Sequence, residues 1–516
     1  MRMMPRRVTK GRVSSQVSLQ APTGGLNAKD PIASMKETEA LRMENYFPTP
    51  SEVVSRNGSV AHATGLPGAV ETIASFNDGN TRELFGFSNG NIYDVTTSGA
   101  VAAPVVTGLT NSRFQTINFG TAGGFFLLAV NGDDKMRIYN GLTWSFDGSG
   151  GPAVTGFNTE DAIHINNFKN RVWFVERDSF NAWYLPVSSI GGAANNIDLS
   201  GIFKMGGYLM AMANWTIDNA SGVDDYAAFI TSEGEVALYK GTDPTSASTW
   251  ALVGTFRMGR PIGRRCFCKA GADVLVLTTD GAFPLSKALL TDRSQLNLAA
   301  TDKISNLINA DIALYSQNFG WEPIIHPLGK KLIINVPTTE NTVSHQYVMN
   351  TTHGAWCKFT GWNANCFEVL GDDLYFGSDG KVYQADVGQD DEGNNIVGVV
   401  QQAFSYFGSP GIQKIFKMAR PIFVSEGTVI PSILMNVDFQ ENRTVAPTYS
   451  FGVIGAEWNV AEWNVAEWGS GDNLSKLWQS VSGVGISGGL RIVTELKNIS
   501  NRWISTDVVY EKGGSL

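Results

Sequence analysis

Seven short hairpins recur along this chain, and no other feature limits its fold so sharply. Each is an apolar-aromatic strand, a tight turn, and a second strand that carries an aromatic residue. Leu84–Phe87 turns at Asn89-Gly90 into Ile92-Tyr93, and Met136–Tyr139 turns at Asn140-Gly141 toward Trp144. Ala227–Ile230 turns at Glu233-Gly234 into Val236–Tyr239, and Val274–Leu277 turns at Asp280-Gly281 into Phe283. Leu374–Phe376 turns at Asp379-Gly380 into Val382-Tyr383. Asn-Gly and Asp-Gly suit hairpins because the turn that matches strand twist needs positive φ at its centre. The turn glycines at 90, 141, 234, 281 and 380 are 51, 93, 47 and 99 residues apart, near one, two, one and two multiples of about 48. The skipped positions hold hairpins with other turns, Arg171–Val175 to Ala182–Leu185 and Lys331–Val336 to Gln346–Met349.

A hairpin repeated at that period predicts a β-propeller of six or seven blades over 59–395. Each blade exposes an apolar face that only its neighbours cover, so the ring has to close. Composition agrees. The chain has 516 residues, 43 % hydrophobic and 11 % aromatic, with 56 Gly, and only 17 % of it is charged, against about a quarter for ordinary soluble domains. That supports an all-β chain of short strands and tight turns. One helical interruption is expected, where Ile304, Leu307 and Ile308 follow a Thr301-Asp302 cap.

Beyond the propeller the pattern changes. Residues 396–516 read as a C-terminal β-sandwich-like domain, with strands around Arg420–Phe423 and Val508–Tyr510. This stretch contains a pentad repeat that places tryptophans at 458, 463 and 468. A spacing of five throws successive side chains to different faces of a strand or a helix alike. Trp458, Trp463 and Trp468 therefore belong to an irregular loop, as plugs of the sandwich ends or as an exposed interaction surface. At the other end, residues 1–58 read as an extended N-terminal arm leading into the propeller. Its first 29 residues hold Arg2, Arg6, Arg7, Lys10, Arg12 and Lys29 and no acid. The net charge of −9 (39 basic, 48 acidic) thus hides a body of 33 basic and 48 acidic residues, or −15. Arg2, Arg6, Arg7, Lys10 and Arg12 and the three tryptophans are the candidate interface residues.

Motifs for catalysis are missing. His62, His164, His326, His345 and His353 show no metal-ligand spacing, and there is no nucleophile elbow or phosphate loop. Cys266-x-Cys268 and Cys357-x8-Cys366 match no zinc site and suit buried reduced thiols. The acid pairs Asp133-Asp134, Asp224-Asp225, Asp372-Asp373 and Asp390-Asp391 would serve a glycosidase only if the fold brought them together. The residues predict no enzyme, no cofactor and no metal. No apolar run approaches the roughly 20 residues that span a bilayer.

Gln20–Pro31, Asn45-Tyr46-Phe47-Pro48 with Arg56-Asn57-Gly58, Tyr347–Asn350 through Gly354–Cys357 and Gly361-Trp362, and Ser505–Glu511 with Gly513-Gly514 form a set of distinctive stretches. Together they resemble a tail protein of short-tailed bacteriophages and their prophages. The resemblance runs through the whole chain in patches and implies a tail tubular, or nozzle, protein with a propeller body. Such proteins form a homo-oligomeric ring, as a rule a hexamer, below the head-tail adaptor. The ring retains packaged viral DNA and conducts it at infection, in a virion tail assembled in the host cytoplasm and sometimes in contact with tail fibre or spike proteins. An acidic body fits this role, since an acidic wall repels DNA phosphates and lets DNA slide. The basic arm would dock the adaptor or touch DNA.

Two other function classes stay open on the residues. One is a virion-associated propeller glycan hydrolase, which needs acids gathered on one face of the ring. The other is a receptor- or glycan-binding tail module, which needs its tryptophans exposed in a groove.

Overall fold

In the computed structural model the described residues are 14–219, 222–288, 298–441, 445–451 and 473–515. Arg2, Arg6, Arg7, Lys10 and Arg12, like Trp458, Trp463 and Trp468, lie outside them. The chain is nearly all β and divides into two compact units. One takes Ser59–Gly354 and Thr360–Val387, the other Met1–Gly58, Ala355–Phe359 and Gly388–Leu516.

The larger unit is a propeller-like succession of antiparallel sheets, and every expected hairpin is a strand pair within it. At the Asn89-Gly90 turn both residues have positive φ (48° and 71°), as the turn chemistry requires. Three sheets have four strands in sequence order. They begin at Gln115–Thr121, Ala162–Phe168 and Leu209–Asn219. In most sheets the sequence hairpin is the second and third strand. The Asn140-Gly141 hairpin is instead the third and fourth, Arg137–Tyr139 with Trp144–Phe146. The spacings of 51 and 93 therefore join turns that are not equivalent in their sheets.

The strand Ser59–Asn77 joins the two ends of this unit. Its second half pairs with Arg82–Ser88, while its first half pairs with Asp379–Ala385 near the chain's return (Ala63 opposite Val382, Ala61 opposite Tyr383). Apolar clusters sit between consecutive sheets rather than inside any one. Phe76, Phe85 and Phe87 pack with Leu127 and Tyr139 of the next sheet, and Val130 and Ile138 pack with Ile165 and Phe174 of the one after. Trp173 and Tyr184 pack with Phe229 and Trp250, and Val236 and Leu238 with Val274 and Val276. Each buried large apolar side chain contributes about 1.5–3 kcal/mol, so neighbouring sheets stabilise one another. The helix is longer than expected. A 3₁₀ turn at Asp302–Ile304 leads into Ser305–Tyr315, and the buried stripe is Ile304, Ile308 and Ile312 while Leu307 faces solvent. Thr301 does not cap it, because its hydroxyl accepts the Ala282 N–H at 3.1 Å.

In the smaller unit the segment expected as an extended arm is instead woven into sheets. Ser14–Gln20 pairs with Asn501–Ser515, which pairs in turn with Ile412–Ser425. Val53–Ser55 also pairs with Asn501–Ser515, and Glu39–Glu44 pairs with Ile396–Gln402 in a second sheet. The physical reason is edge satisfaction, since strands left alone at either terminus would expose unpaired backbone groups. Tyr46 joins the two sheets. Its hydroxyl bonds Thr494 Oγ1 at 2.9 Å and accepts from Asn501 Nδ2 at 2.8 Å, and burial pushes its pKa up to about 12. Gly398 makes room for the ring, as a Cβ there would meet Tyr46 Cε2 at 2.5 Å.

Replacing Tyr46 with Phe keeps the ring and strands the Asn501 and Thr494 side chains. The variant is expected to lose about 1–3 kcal/mol, read as a lower midpoint in urea unfolding.

Candidate functional site

Strands from six sheets of the propeller-like unit, though not the one that begins at Leu209–Asn219, converge on a small cavity of about 250 Å³. Thr72, Gln115, His164, Phe267, Glu322 and Glu368 come from six different strands, which places the cavity on the axis around which the sheets are arranged. A larger bowl of about 1220 Å³ adjoins it and shares Gln115, Arg264 and Arg265 with it.

Between bowl and cavity lies a crossing of arginines. The segment after Arg257 carries Arg260, Arg264 and Arg265 toward the axis. Arg265 reaches other sheets, donating to Thr72 Oγ1 at 2.6 Å and to the Phe114 carbonyl at 3.1 Å. It stands 3.9 Å from the Glu322 carboxylate, and its side chain is 10 % exposed. The Phe319 ring is flanked by the guanidinium groups of Arg113 and Arg265, 4.3 and 5.1 Å from its centroid. Arg113 is held in turn by Glu71 at 2.9 Å and Glu340 at 2.6 Å. Arg264 donates to the Asn131 carbonyl at 3.2 Å. The contacts of Arg265, Phe319 and Arg113 tie separate sheets of the unit together and fill the axis with side chains.

Beneath the crossing lie two carboxylates. Glu322 accepts the Phe367 N–H at 3.1 Å, and Glu368 accepts the Ser75 hydroxyl at 2.9 Å. Burial raises the pKa of both. Arg265 opposes the shift at Glu322, while Glu368 is pushed up to about 7. His164 is 4 % exposed; burial, reinforced by Arg264, pushes its pKa down to about 3, so it is neutral. Two carboxylates with raised pKa would suit acid-base chemistry. Here they are tied to Ser75, Phe367 and Arg265, as a structural network is.

The acid pairs singled out in the sequence do not converge. Asp133 pairs with Arg177 at 2.9 Å, Asp134 accepts from Thr110, and Asp225 pairs with Lys169 at 2.5 Å. Asp391 belongs to the other unit, where it pairs with the buried Arg56. Of these acids only Asp133 lines the bowl. Cys266, Cys357 and Cys366 are buried and Cys268 is half-buried, and among the described residues none is in a disulfide. Burial pushes the pKa of Cys266, Cys268 and Cys366 up to about 12. Among the described residues no cluster of three His, Cys, Asp or Glu is arranged to hold a metal ion. No helix among them is long and apolar enough to cross a membrane. The sequence reading passed over Arg264, Arg265, Glu322 and Glu368. The available signal was the Arg264-Arg265 doublet in a charge-poor chain, just ahead of a repeat.

No protein-family model matches the chain, and no curated protein matches it. Among solved structures, a chain of "Crystal structure of BBS1N in complex with ARL6DN, soaked with mercury" is similar at 10 % identity. The match covers 64 % of this chain and 97 % of that one with a TM-score of 0.39. The propeller-like description rests on the strand pairing and not on so distant a likeness.

Two outcomes test the axial network. Arg265→Met removes the cation beside Glu322 and the bonds to Thr72 and Phe114, and is expected to cost about 3 kcal/mol, measured by chemical unfolding. Glu368 holds its proton more tightly in the fold than in the open chain. Its stabilising contribution is full below the ordinary pKa of 4.5 and is lost as pH rises to about 7. Glu368→Gln is expected to flatten that part of the stability-pH profile, so that the variant gains on the parent above neutral pH.

Proposed function

We propose that this chain is a structural component of a short-tailed bacteriophage tail, a nozzle protein that oligomerises into a ring below the head-tail adaptor. The observation that carries the reading is where the family-like residues fall. Gln20–Pro31, Asn45–Pro48, Arg56–Gly58 and Ser505–Glu511 come from opposite ends of the chain and sit in the same compact unit, with Ala355–Cys357, while Tyr347–Gly354 and Gly361-Trp362 belong to the larger unit. There they act as joints. Asn27 donates to Asp30 and Glu39 at 2.8 Å each. Arg56 bonds Asn45 Oδ1 at 2.9 Å and pairs with Asp391, and Asp507 pairs with Arg420 at 2.5 Å. Residues that hold a body together support a building block better than they support a catalyst.

In this reading the seven hairpins are seven blades, and the smaller unit is a sandwich formed from both chain ends. Arg265 and Phe319 fill the propeller axis, so DNA travels through the channel of the assembled ring and not through a propeller. The −15 body supplies the non-adhesive wall. The tied state of Glu322 and Glu368 weighs against the glycan-hydrolase alternative.

Negative-stain images of the purified protein, alone and with its adaptor, are expected to show rings with a central channel. Isolated globules that cleave glycans would overturn the proposal. Deleting residues 1–13, which spares the Ser14–Gln20 strand, is expected to impair attachment to the adaptor while the melting of the protein stays unchanged.

A further inference from the structure

The cavity beneath the arginine crossing has a feature the axial network does not use. Arg264 lines both the cavity and the bowl and makes no ion pair among the described residues. Asp133 and Asp178 act on it only through space. His164, almost fully buried, lines the same cavity, and its Nδ1 has no hydrogen-bond partner. A buried polar nitrogen left unpaired is costly, by about 1–3 kcal/mol, unless something else meets it.

The other charged groups there are already engaged. Arg265 is shared among Thr72, Phe114 and Glu322. Glu322 takes the Phe367 N–H, and Glu368 takes the Ser75 hydroxyl. Burial favours the protonated form of both carboxylates and the neutral form of His164, so the two guanidinium groups are incompletely balanced. Gln115, Thr116 and Asn166 complete a polar lining. The volume of about 250 Å³ admits an anion with room for water, and far less than a polymer.

We propose that this axial cavity is a binding site for a small oxyanion, a phosphate or a carboxylate, held by the Arg264 guanidinium and the His164 imidazole and reached through the bowl. Arginine matches such ligands because its planar fork presents two parallel N–H groups to two oxygens. An anion there also relieves the repulsion between Arg264 and a protonated His164, so binding draws a proton onto the imidazole. The inference stands apart from the tail assignment, since a ring-forming protein without this site remains a ring-forming protein.

The test uses the full chain, with inorganic phosphate and acetate as probes and glucose as the uncharged control. Calorimetry is expected to show binding of at least one anion and none of glucose. Phosphate without acetate would identify the source as phosphate, and both together a general oxyanion site. The His164 ring resonance, assigned by its loss in His164→Gln, is expected to titrate at higher pH when the anion is present. Arg264→Gln removes one exposed side chain with a single hydrogen bond. It is expected to keep the parent's melting temperature and weaken anion binding about tenfold or more, while Arg264→Lys restores part of it. If His164→Gln fails to fold, the two Arg264 variants decide alone. No binding of either anion, equal binding of glucose, or anion binding unchanged in Arg264→Gln would each overturn the proposal.

Discussion

Closure governs the larger unit. A sheet of three or four short strands exposes an apolar face on each side, and in this unit those faces are buried only against the sheets before and after. The first and last sheets have no sequential neighbour on one side. The strand Ser59–Asn77 resolves this by serving two sheets at once, with its first half beside Asp379–Ala385 and its second beside Arg82–Ser88. Val70 and Tyr93 then share a buried apolar cluster with Tyr375 and Val382, so the seam has a core of its own. Without that pairing two apolar faces would meet water, and the remaining interfaces would be held from one side only.

The arginine crossing answers a second constraint of the same geometry. Strands that converge on an axis leave a gap, and a gap lined by backbone and polar groups needs partners or water. Arg265, Phe319 and Arg113 fill it with a stacked arrangement that ties separate sheets, and Glu322 balances the charge at 3.9 Å. Burying this much charge makes the axis sensitive to pH and intolerant of losing one partner. It also leaves Arg264 and His164 as the groups whose chemistry faces outward to a ligand. A similar economy holds in the smaller unit, where Arg56, 2 % exposed, satisfies Asn45, Asn57 and Asp391 together.

Much of the larger unit was legible because hairpins are local. Turn chemistry at Asn89-Gly90 and alternation around it depend on a few adjacent residues, so each strand pair could be read where it stands. The Asn140-Gly141 turn shows the limit. Its chemistry marked a hairpin correctly but not which strands of the sheet it joins. Ile304 and Ile308 are buried with Ile312 at a spacing of four, which turns Leu307 to solvent, and a pattern of three apolar residues does not show which of them faces the packed side. The axial site was illegible for a related reason. Arg265, Thr72, Phe114, Glu322 and Glu368 are scattered over some three hundred residues and share only their position at the inner edge of each sheet.

The sequence by itself determined the strand content, the repeating hairpins, the scarcity of charge and the acidic balance of the body, all properties of neighbouring residues or of simple counts. Tertiary structure alone decided that Ser14–Gln20 is a sheet strand beside the C-terminal segment and not a free arm. It alone decided which acids meet which cations, sending Asp391 to Arg56 and Asp133 to Arg177 while gathering Glu322 and Glu368 on the axis. The reason is physical. A strand's propensity is written in its own side chains, but its partner is chosen by which edge remains unpaired and which face remains wet once every other strand is in place.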